Sequence, residues 1–524
     1  MSTPASFFRL ARAGLTLARA GVFRDVDPSI APAPARLPLA LAKFLARRPK
    51  RGAPASGLSE LPAAISALGP SYVKLGQFLA TRPDVVGPEV VRALERLQDR
   101  MAPFPREVAV KTVEQAFDRP IGEVFVSFSE PVAAASIAQV HKARTRTPDG
   151  ERDVAVKVLR PGVERRFRRD LGDMFAAARL AERLSPDMRR LKPVEVIDSM
   201  ARSVRMEMDF RLEAAAASEF GENVAQDKDF GAPNVDWDRT AREVLTLEWV
   251  EGRPLSDVAG LRASGADLPR LGRVLIQSFL LHAMRDGFFH ADMHPGNLFV
   301  TADERLVAVD FGIMGRLGYK ERRFLAEILY GFITRDYLRV AQVHFEAGYV
   351  PRAHRVEDFA QAIRAIGEPI HARAADQISM ARLLTLLFEI TGLFDMKTRT
   401  ELVLLQKTMV VVEGVGRALD PKLNMWTTAE PVVGAWIERN LGPRGKIEDA
   451  GRAARALGDF AAALPATLLR GEALLQRVEE MADEGLELSA SAVESVGAAV
   501  GRGARLGHIA LWIIAFAVVV LLLR

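Results

Sequence analysis

Between Phe288 and Gly312 the chain reads FFHADMHPGNLFVTADERLVAVDFG, and this stretch limits the fold more than any other. A carboxylate at Asp292 is followed five residues later by the amide of Asn297, and a second carboxylate, Asp310, opens an Asp-Phe-Gly triplet. The residues between read as two short strands, Leu298 to Thr301 and Arg305 to Val309, joined by the polar turn Ala302-Asp303-Glu304. Such a hairpin returns Asp310 to the side of Asn297. Asp292 is then placed to orient or deprotonate a nucleophile, while Asn297 and Asp310 offer oxygens to magnesium and, through it, to a triphosphate. His290 and His294 have the spacing of a zinc helix, but Pro295 and Gly296 follow at once and no Glu stands directly after His290. Phosphoryl transfer is the better reading.

A kinase-like site also needs small-lobe strands upstream of these motifs. FVSFSEPVAAASIAQVHKARTRTPDGERDVAVKVLRP gives a strand, an Ala-rich turn at Ala133, Ala134, Ala135 and Ser136, a second strand through Val140, a Pro-Asp-Gly turn and a third strand, Val154 to Leu159. A Lys in an alternating strand usually faces water; Lys157 gains weight because it precedes DxxxxN and DFG in the order of a kinase, where it would grip the α/β-phosphates. The phosphate loop carries alanines where glycines are usual, which keeps the side chains small but gives up φ > 0. A long helical segment from Val163 to about Phe220 contains MEMDFRLEAA, and a kinase lysine needs a helix-borne Glu. VLTLEWVEGRPL reads as a last small-lobe strand and hinge, with Glu248 to Val250 offering backbone groups to adenine. No Ala-Pro-Glu follows DFG, and Ala291 stands where protein kinases have Arg, so a long activation loop is not expected.

Other segments set the boundaries. Leu58 to Phe117 reads as a helical module with Lys74 and Gln77 three apart on one face, and Pro83 and Pro88 at a turn. Residues beyond 320 read as Ala- and Leu-rich helices. The N-terminal FFRLARAGLTLARAGVF mixes Phe8, Leu15, Leu17 and Phe23 with Arg9, Arg12, Arg19 and Arg24. It would lie on an anionic membrane surface or pack as an ordinary helix on the body, and a mitochondrial transit peptide shares its composition. At the far end Ile509 to Leu523 is an unbroken apolar run before Arg524. About fifteen helical residues reach roughly 23 Å, short of a core of roughly 30 Å, which snorkelling of Arg524 and local thinning would close. A tail anchor with the body on the cytoplasmic side is preferred to a buried C-terminal helix, since Arg502 and Arg505 lie on the near side.

With 49% apolar and 26% charged residues over 524 positions, the chain suits a globular protein with more than one core. A net charge of +5 without an RRM, zinc-finger or basic-zipper pattern gives no support to nucleic-acid binding. The absence of cysteine rules out disulfides, thiol nucleophiles and Cys-ligated metals. No secretory signal pattern opens the sequence.

Taken in order, KLGQ at Lys74 to Gln77, AAAS at Ala133 to Ser136, Lys157, EMD at Glu207 to Asp209, Glu213, HADMHPGN and DFG resemble the UbiB family of atypical kinases, over roughly residues 58 to 425. The resemblance implies an α+β, bilobal, atypical protein-kinase-like fold: a basic N-terminal segment and linker (1–57), a KxGQ helical extension (58–118), an N-lobe with a helical insertion (119–252), a C-lobe (253–425), a helical arm (426–507) and a transmembrane tail (508–524). It implies ATP and Mg2+ as cofactors, Asp292 and Lys157 as catalytic residues, and Asn297 and Asp310 as metal ligands. It also implies nucleotide contacts from Ala133 to Ser136, Lys157, Glu213, Glu248 and Val250. Lys74 and Gln77 would act with Glu207 and Asp209 as a regulatory set, Lys74 reaching both acids and occluding the peptide groove. The implied setting is a bacterial inner membrane, or alternatively a mitochondrion. The implied partners are lipid, polyprenylated quinone intermediates and other ubiquinone-biosynthesis enzymes, with self-association left open. Three functions compete: a membrane-anchored ATPase or small-molecule kinase, a protein kinase, and a nucleotide-gated lipid-binding scaffold without turnover.

Overall fold

The computed structural model describes residues 4–22, 57–80, 86–94, 101–184, 191–371 and 400–442, with a few positions between them. The described residues up to Ile437 make one compact unit. The expected arm beyond 442 and the apolar run Ile509 to Leu523 lie outside the described residues. Among those described, no helix is long and apolar enough to cross a membrane.

Four helices come first: α1 (Pro4–Ala20), α2 (Leu61–Leu68), α3 (Pro70–Ala80) and α4 (Pro88–Leu94). Proline opens α3 and α4, where its missing N–H costs nothing. Leu61, Ala80, Ala93 and Leu94 form a shared apolar cluster on which Leu17 of α1 packs. Helix α1 is therefore seated on the body by one face. The Arg9 guanidinium clamps Asp173 at 2.5 and 2.8 Å, and Asp173 is 2% exposed.

Helices α5 (Arg106–Phe117) and α6 (Ile121–Val124) lead into β1 (Ser127–Ala134), β2 (Ala138–Thr147) and β3 (Gly150–Leu159). Then come α7 (Val163–Leu184), α8 (Pro193–Glu207), α9 (Phe210–Asn223), β4 (Phe230–Gly231) and β5 (Val244–Glu248). Strands β1, β2, β3 and β5 form the antiparallel small-lobe sheet in that order. The period of two in β3 decides what faces where: Val154, Val156 and Val158 are fully buried against Ala109 and Val113 of α5, which turns Lys157 to the opposite face. Helix α5, grouped by sequence with the preceding helices, thus belongs to the small-lobe core.

The long helical segment expected from Val163 to about Phe220 is made of three helices, α7, α8 and α9. Pro193 starts α8, and Asp209 starts α9 by accepting the Arg211 N–H at 3.2 Å. The Ala-rich turn is also shifted. Ala133 and Ala134 still pair with Val140 and Gln139 in the sheet, so the chain reverses through Ala135, Ser136 and Ile137.

The large lobe contains β6 (Arg253–Pro254), α10 (Val258–Ala263), α11 (Leu268–Leu281), β7 (Phe288–His290), β8 (Leu298–Val300), β9 (Leu306–Ala308) and β10 (Met314–Arg316). Helices α12 (Tyr319–Thr334), α13 (Tyr337–Glu346), α14 (Val356–His371), α15 (Thr400–Leu419) and α16 (Met425–Leu441) follow. The predicted hairpin is β8 and β9, Leu298 opposite Ala308, inside a four-stranded sheet ordered β4-β9-β8-β6. Strands β7 and β10 pair with Phe289 opposite Gly315; the Phe289 ring lies where a Cβ on Gly315 would come within 2.2 Å, so only glycine fits there.

His344 of α13 is buried against Phe359 and donates from Nδ1 to the Val340 carbonyl at 2.8 Å. Burial pushes its pKa down to about 4 from an ordinary 6.5. The unfolded chain takes up that proton first, so this site's stability is complete above pH 6.5 and is lost as pH falls toward 4, up to roughly 3 kcal/mol. Urea-unfolding midpoints are expected to fall across that window, and His344→Leu to flatten the dependence; an unchanged slope would contradict this assignment.

Candidate active site

Each side chain at the cleft has a local reason for its position. Lys157 is on the cleft face of β3 because valines occupy the other face. Helix α9 buries Phe210, Glu213, Ala214, Ala217 and Phe220, a helical stripe that carries Glu213 inward. The two meet: Lys157 Nζ donates to Glu213 Oε1 at 2.7 Å, and the same ammonium lies 3.4 Å from Asp310 Oδ1. Asp310 follows β9 immediately, and the N–H of Val309 bonds the carbonyl of Asn297 at 3.0 Å, which closes the hairpin and sets the two residues side by side.

Asn297 aims its amide nitrogen at Asp292, 3.1 Å from the carbonyl and 3.2 Å from Oδ2. Its amide oxygen is thereby directed away from Asp292. Together with Asp310, whose side chain is 46% exposed to the cleft, this makes a pair of hard oxygen donors. Such a pair fits magnesium, which takes one or two protein oxygens and completes its octahedron with phosphate and water. Among the described residues no group of three or more His, Asp or Glu could hold a metal.

Charge in the cleft is tightly coupled. Partial desolvation opposes the Asp310 carboxylate, but Lys157, the Gly312 N–H at 3.1 Å and more distant Lys74 hold its pKa well below the carboxylate range. Burial likewise opposes Lys157, yet Asp310 and Glu213 keep it protonated beyond its ordinary value. Glu213 moves the other way: burial pushes its pKa up to about 7, against the pull of Lys157 and with the help of Asp310.

The KxGQ helix α3 meets the cleft through Lys74, which pairs with Glu207 at 2.6 Å, both side chains more than four-fifths buried. Asp209 does not join them. It caps α9 and pairs with the Arg211 guanidinium at 2.9 and 2.7 Å, because the chain breaks between the two acids. Gln77 shares α3 and is partly buried. The hinge expectation is narrowed as well: the Glu248 N–H goes to the Asn234 carbonyl at 2.8 Å and the Trp249 N–H to Asp153 at 3.2 Å. Those two N–H groups are therefore engaged within the protein and not open to a ligand at the hinge. The Glu248 side chain bonds Asn234 instead, at 2.8 Å.

Several contributing residues escaped the sequence reading. His290 donates from Nε2 to the Asp310 carbonyl and accepts the Asp292 N–H at Nδ1, 3.1 Å, so one neutral imidazole ties the two motifs together. Burial pushes its pKa down, which keeps the ring neutral, and its two partners fix the tautomer. Its signal is its place two residues before Asp292, weighed only for zinc. Gln139 bonds both the N–H and the carbonyl of Phe104, at 2.9 and 3.2 Å, and Arg160 bonds the carbonyls of Ala102 and Ala135 at 3.1 and 3.2 Å. These brace the Ala-rich turn. Thr408 of α15, 117 residues from Ala291, donates to that residue's carbonyl at 2.9 Å. No local signal announces such a contact.

Residues 96–344 match the ABC1 atypical kinase-like domain and residues 363–424 the UbiB helical domain. A relative from Marinobacter nauticus named probable protein kinase UbiB is 42% identical over 390 residues, covering 74% of this chain and 71% of its own. The chain belongs to the UbiB family of atypical kinases. A Pseudomonas paraeruginosa relative with the same name is 41% identical over 391 residues, with 74% and 73% covered. A Mycobacterium tuberculosis protein solved with erythromycin is 26% identical at a TM-score of 0.46, covering 71% of this chain and 94% of that one. The family assignment places Lys157, Glu213, Asn297 and Asp310 within the kinase-like domain and Thr408 within the helical domain. The Thr408 contact is thus a direct link from the helical domain to the residue before Asp292.

Removing one partner of a buried pair leaves the other charge stranded. Lys157→Ala is expected to lower stability by roughly 3 kcal/mol, because Glu213 would then face Asp310 without a cation. Glu213→Gln should cost less, since Lys157 keeps Asp310. Urea melts of the two variants in the same buffer give the comparison, and the reverse order would contradict the assigned coupling.

Proposed function

We propose that this protein is a membrane-anchored ATPase or small-molecule kinase that binds ATP with magnesium and supports ubiquinone biosynthesis by ATP-driven handling of polyprenylated quinone precursors. The observation that carries the nucleotide half of the reading is the convergence of Lys157, Glu213, Asn297 and Asp310 on one cleft. Membership of the UbiB family supports the biosynthetic half. The apolar run at the C-terminus would supply the anchor, with the body on the cytoplasmic side of a bacterial inner membrane.

When bound, Mg-ATP supplies the transferable phosphoryl group and the positive charge that offsets its negative oxygens. Asp310 and the Asn297 amide oxygen would hold the metal. Lys157, held in place by Glu213, would bind the α/β-phosphates, with the small side chains of Ala133 to Ser136 alongside. The Glu248 carbonyl and the Val250 amide would take the adenine edge. Asp292, fixed by Asn297 from one side and by His290 through its own N–H, would orient the nucleophile and accept its proton.

The nucleophile reads better as water or a small hydroxyl than as a peptide side chain. Helix α3 brings Lys74 to Glu207 and within electrostatic reach of Asp310, on ground a peptide would need. A protein kinase is the second reading, favoured by the names of the relatives.

Purified full-length protein in lipid is expected to hydrolyse ATP only with magnesium, and Asp310→Asn to lose at least about a hundredfold in turnover, the order seen when one electrostatic contact to a transition state is removed. Full turnover by that variant would end the nucleotide reading. Failure of Asp292→Asn to restore quinone synthesis in a deletion strain separates turnover from a passive scaffold, which predicts complementation.

A further inference from the structure

Helix α1 has two faces, and seating it on the body uses only one. Ser6, Ala13 and Ala18 are buried, and Arg9 is committed to Asp173. The seat is firm. One turn earlier on α7, Asp170 takes the Ser71 hydroxyl at 2.8 Å, with both groups buried. At 100° per residue the opposite face of α1 carries Phe8, Arg12, Leu15 and Arg19 in a single stripe along about three turns. Phe8 is 73% exposed, and Arg12 and Arg19 are exposed beside it. The helix has three arginines and no acid anywhere.

A stripe that alternates an apolar side chain with arginine, with Phe8, Arg12 and Arg19 exposed and Leu15 half-buried, does not suit bulk water, nor does its charge suit another copy of the same basic stripe. It does suit the boundary between headgroups and acyl chains. Phe8 and Leu15 would enter the apolar layer, while Arg12 and Arg19 lay their stems along it and return their guanidinium groups to lipid phosphates. The all-positive charge selects an anionic surface.

We propose that the outward stripe of α1, Phe8, Arg12, Leu15 and Arg19, is a docking surface for an anionic lipid bilayer. This inference rests on the proposed membrane setting of the protein, but on a different segment from the C-terminal anchor. It also assigns Arg9 a role distinct from that of its neighbours: Arg9 holds the helix to the body, and Arg12 and Arg19 hold it to the membrane.

The chain lacks cysteine, which makes a site-specific probe clean. The full-length variant Phe8→Cys, labelled with an environment-sensitive fluorophore, is mixed with phosphatidylcholine vesicles with or without phosphatidylglycerol. With phosphatidylglycerol the label is expected to shift to the blue, brighten several-fold and be quenched by spin-labelled acyl chains. The shift should be weaker in neutral vesicles, shrink with added salt and be lost in the Arg12→Glu, Arg19→Glu background. Co-flotation of the chain with an unshifted, unquenched label would overturn the docking surface, and so would an equal shift in neutral vesicles. ATP turnover measured on the same samples reports the nucleotide reading separately, because none of these four residues lies at the cleft.

Discussion

One lysine between two carboxylates organises this structure. Lys157 Nζ lies 2.7 Å from Glu213 on α9 and 3.4 Å from Asp310 after β9. The small-lobe sheet, the helix behind it and the large-lobe hairpin thus meet at one ammonium. Two partly desolvated carboxylates so close together would repel each other, and the cation makes their approach tolerable. The same arrangement holds Asp310 charged and leaves Glu213 with a raised pKa.

Around that centre the bracing runs outward in layers of polar contacts. His290 joins the Asp310 carbonyl to the Asp292 N–H, Asn297 fixes the Asp292 carboxylate, and Thr408 reaches in from the helical domain to Ala291. On the other side Lys74 and Glu207 tie the KxGQ helix down, and Asp170 and Asp173 of α7 hold Ser71 and Arg9. These buried charges each need a partner at a definite place, which makes α1, α3 and α7 a connected support for the cleft.

Much of the site could be read from local sequence. The hairpin between Asn297 and Asp310 is a matter of strand length and turn residues, and the orientation of Lys157 follows from valines at every second position in β3. The breaks within the long helical segment were harder. Asp209 looked like part of an acidic set with Glu207, but a carboxylate at a helix start is drawn to the orphan N–H groups there, and Arg211 completes its capture. The expected hinge is too broad in detail, because which backbone N–H groups a strand leaves open depends on neighbours such as Asn234 and Asp153.

By itself the sequence determined the order of the chemistry: a strand lysine, a helix glutamate, then DxxxxN, a hairpin and DFG. These are properties of short segments, set by side-chain period and turn propensity. Only the tertiary structure decided that Lys74 meets Glu207 and not Asp209, that His290 bridges two backbones, that Thr408 supports Ala291 across 117 residues, and which face of α1 is seated on the body. The physical reason is that a buried charge or hydroxyl takes whichever partner the packing of distant helices brings within about 3 Å, and no local pattern encodes that distance.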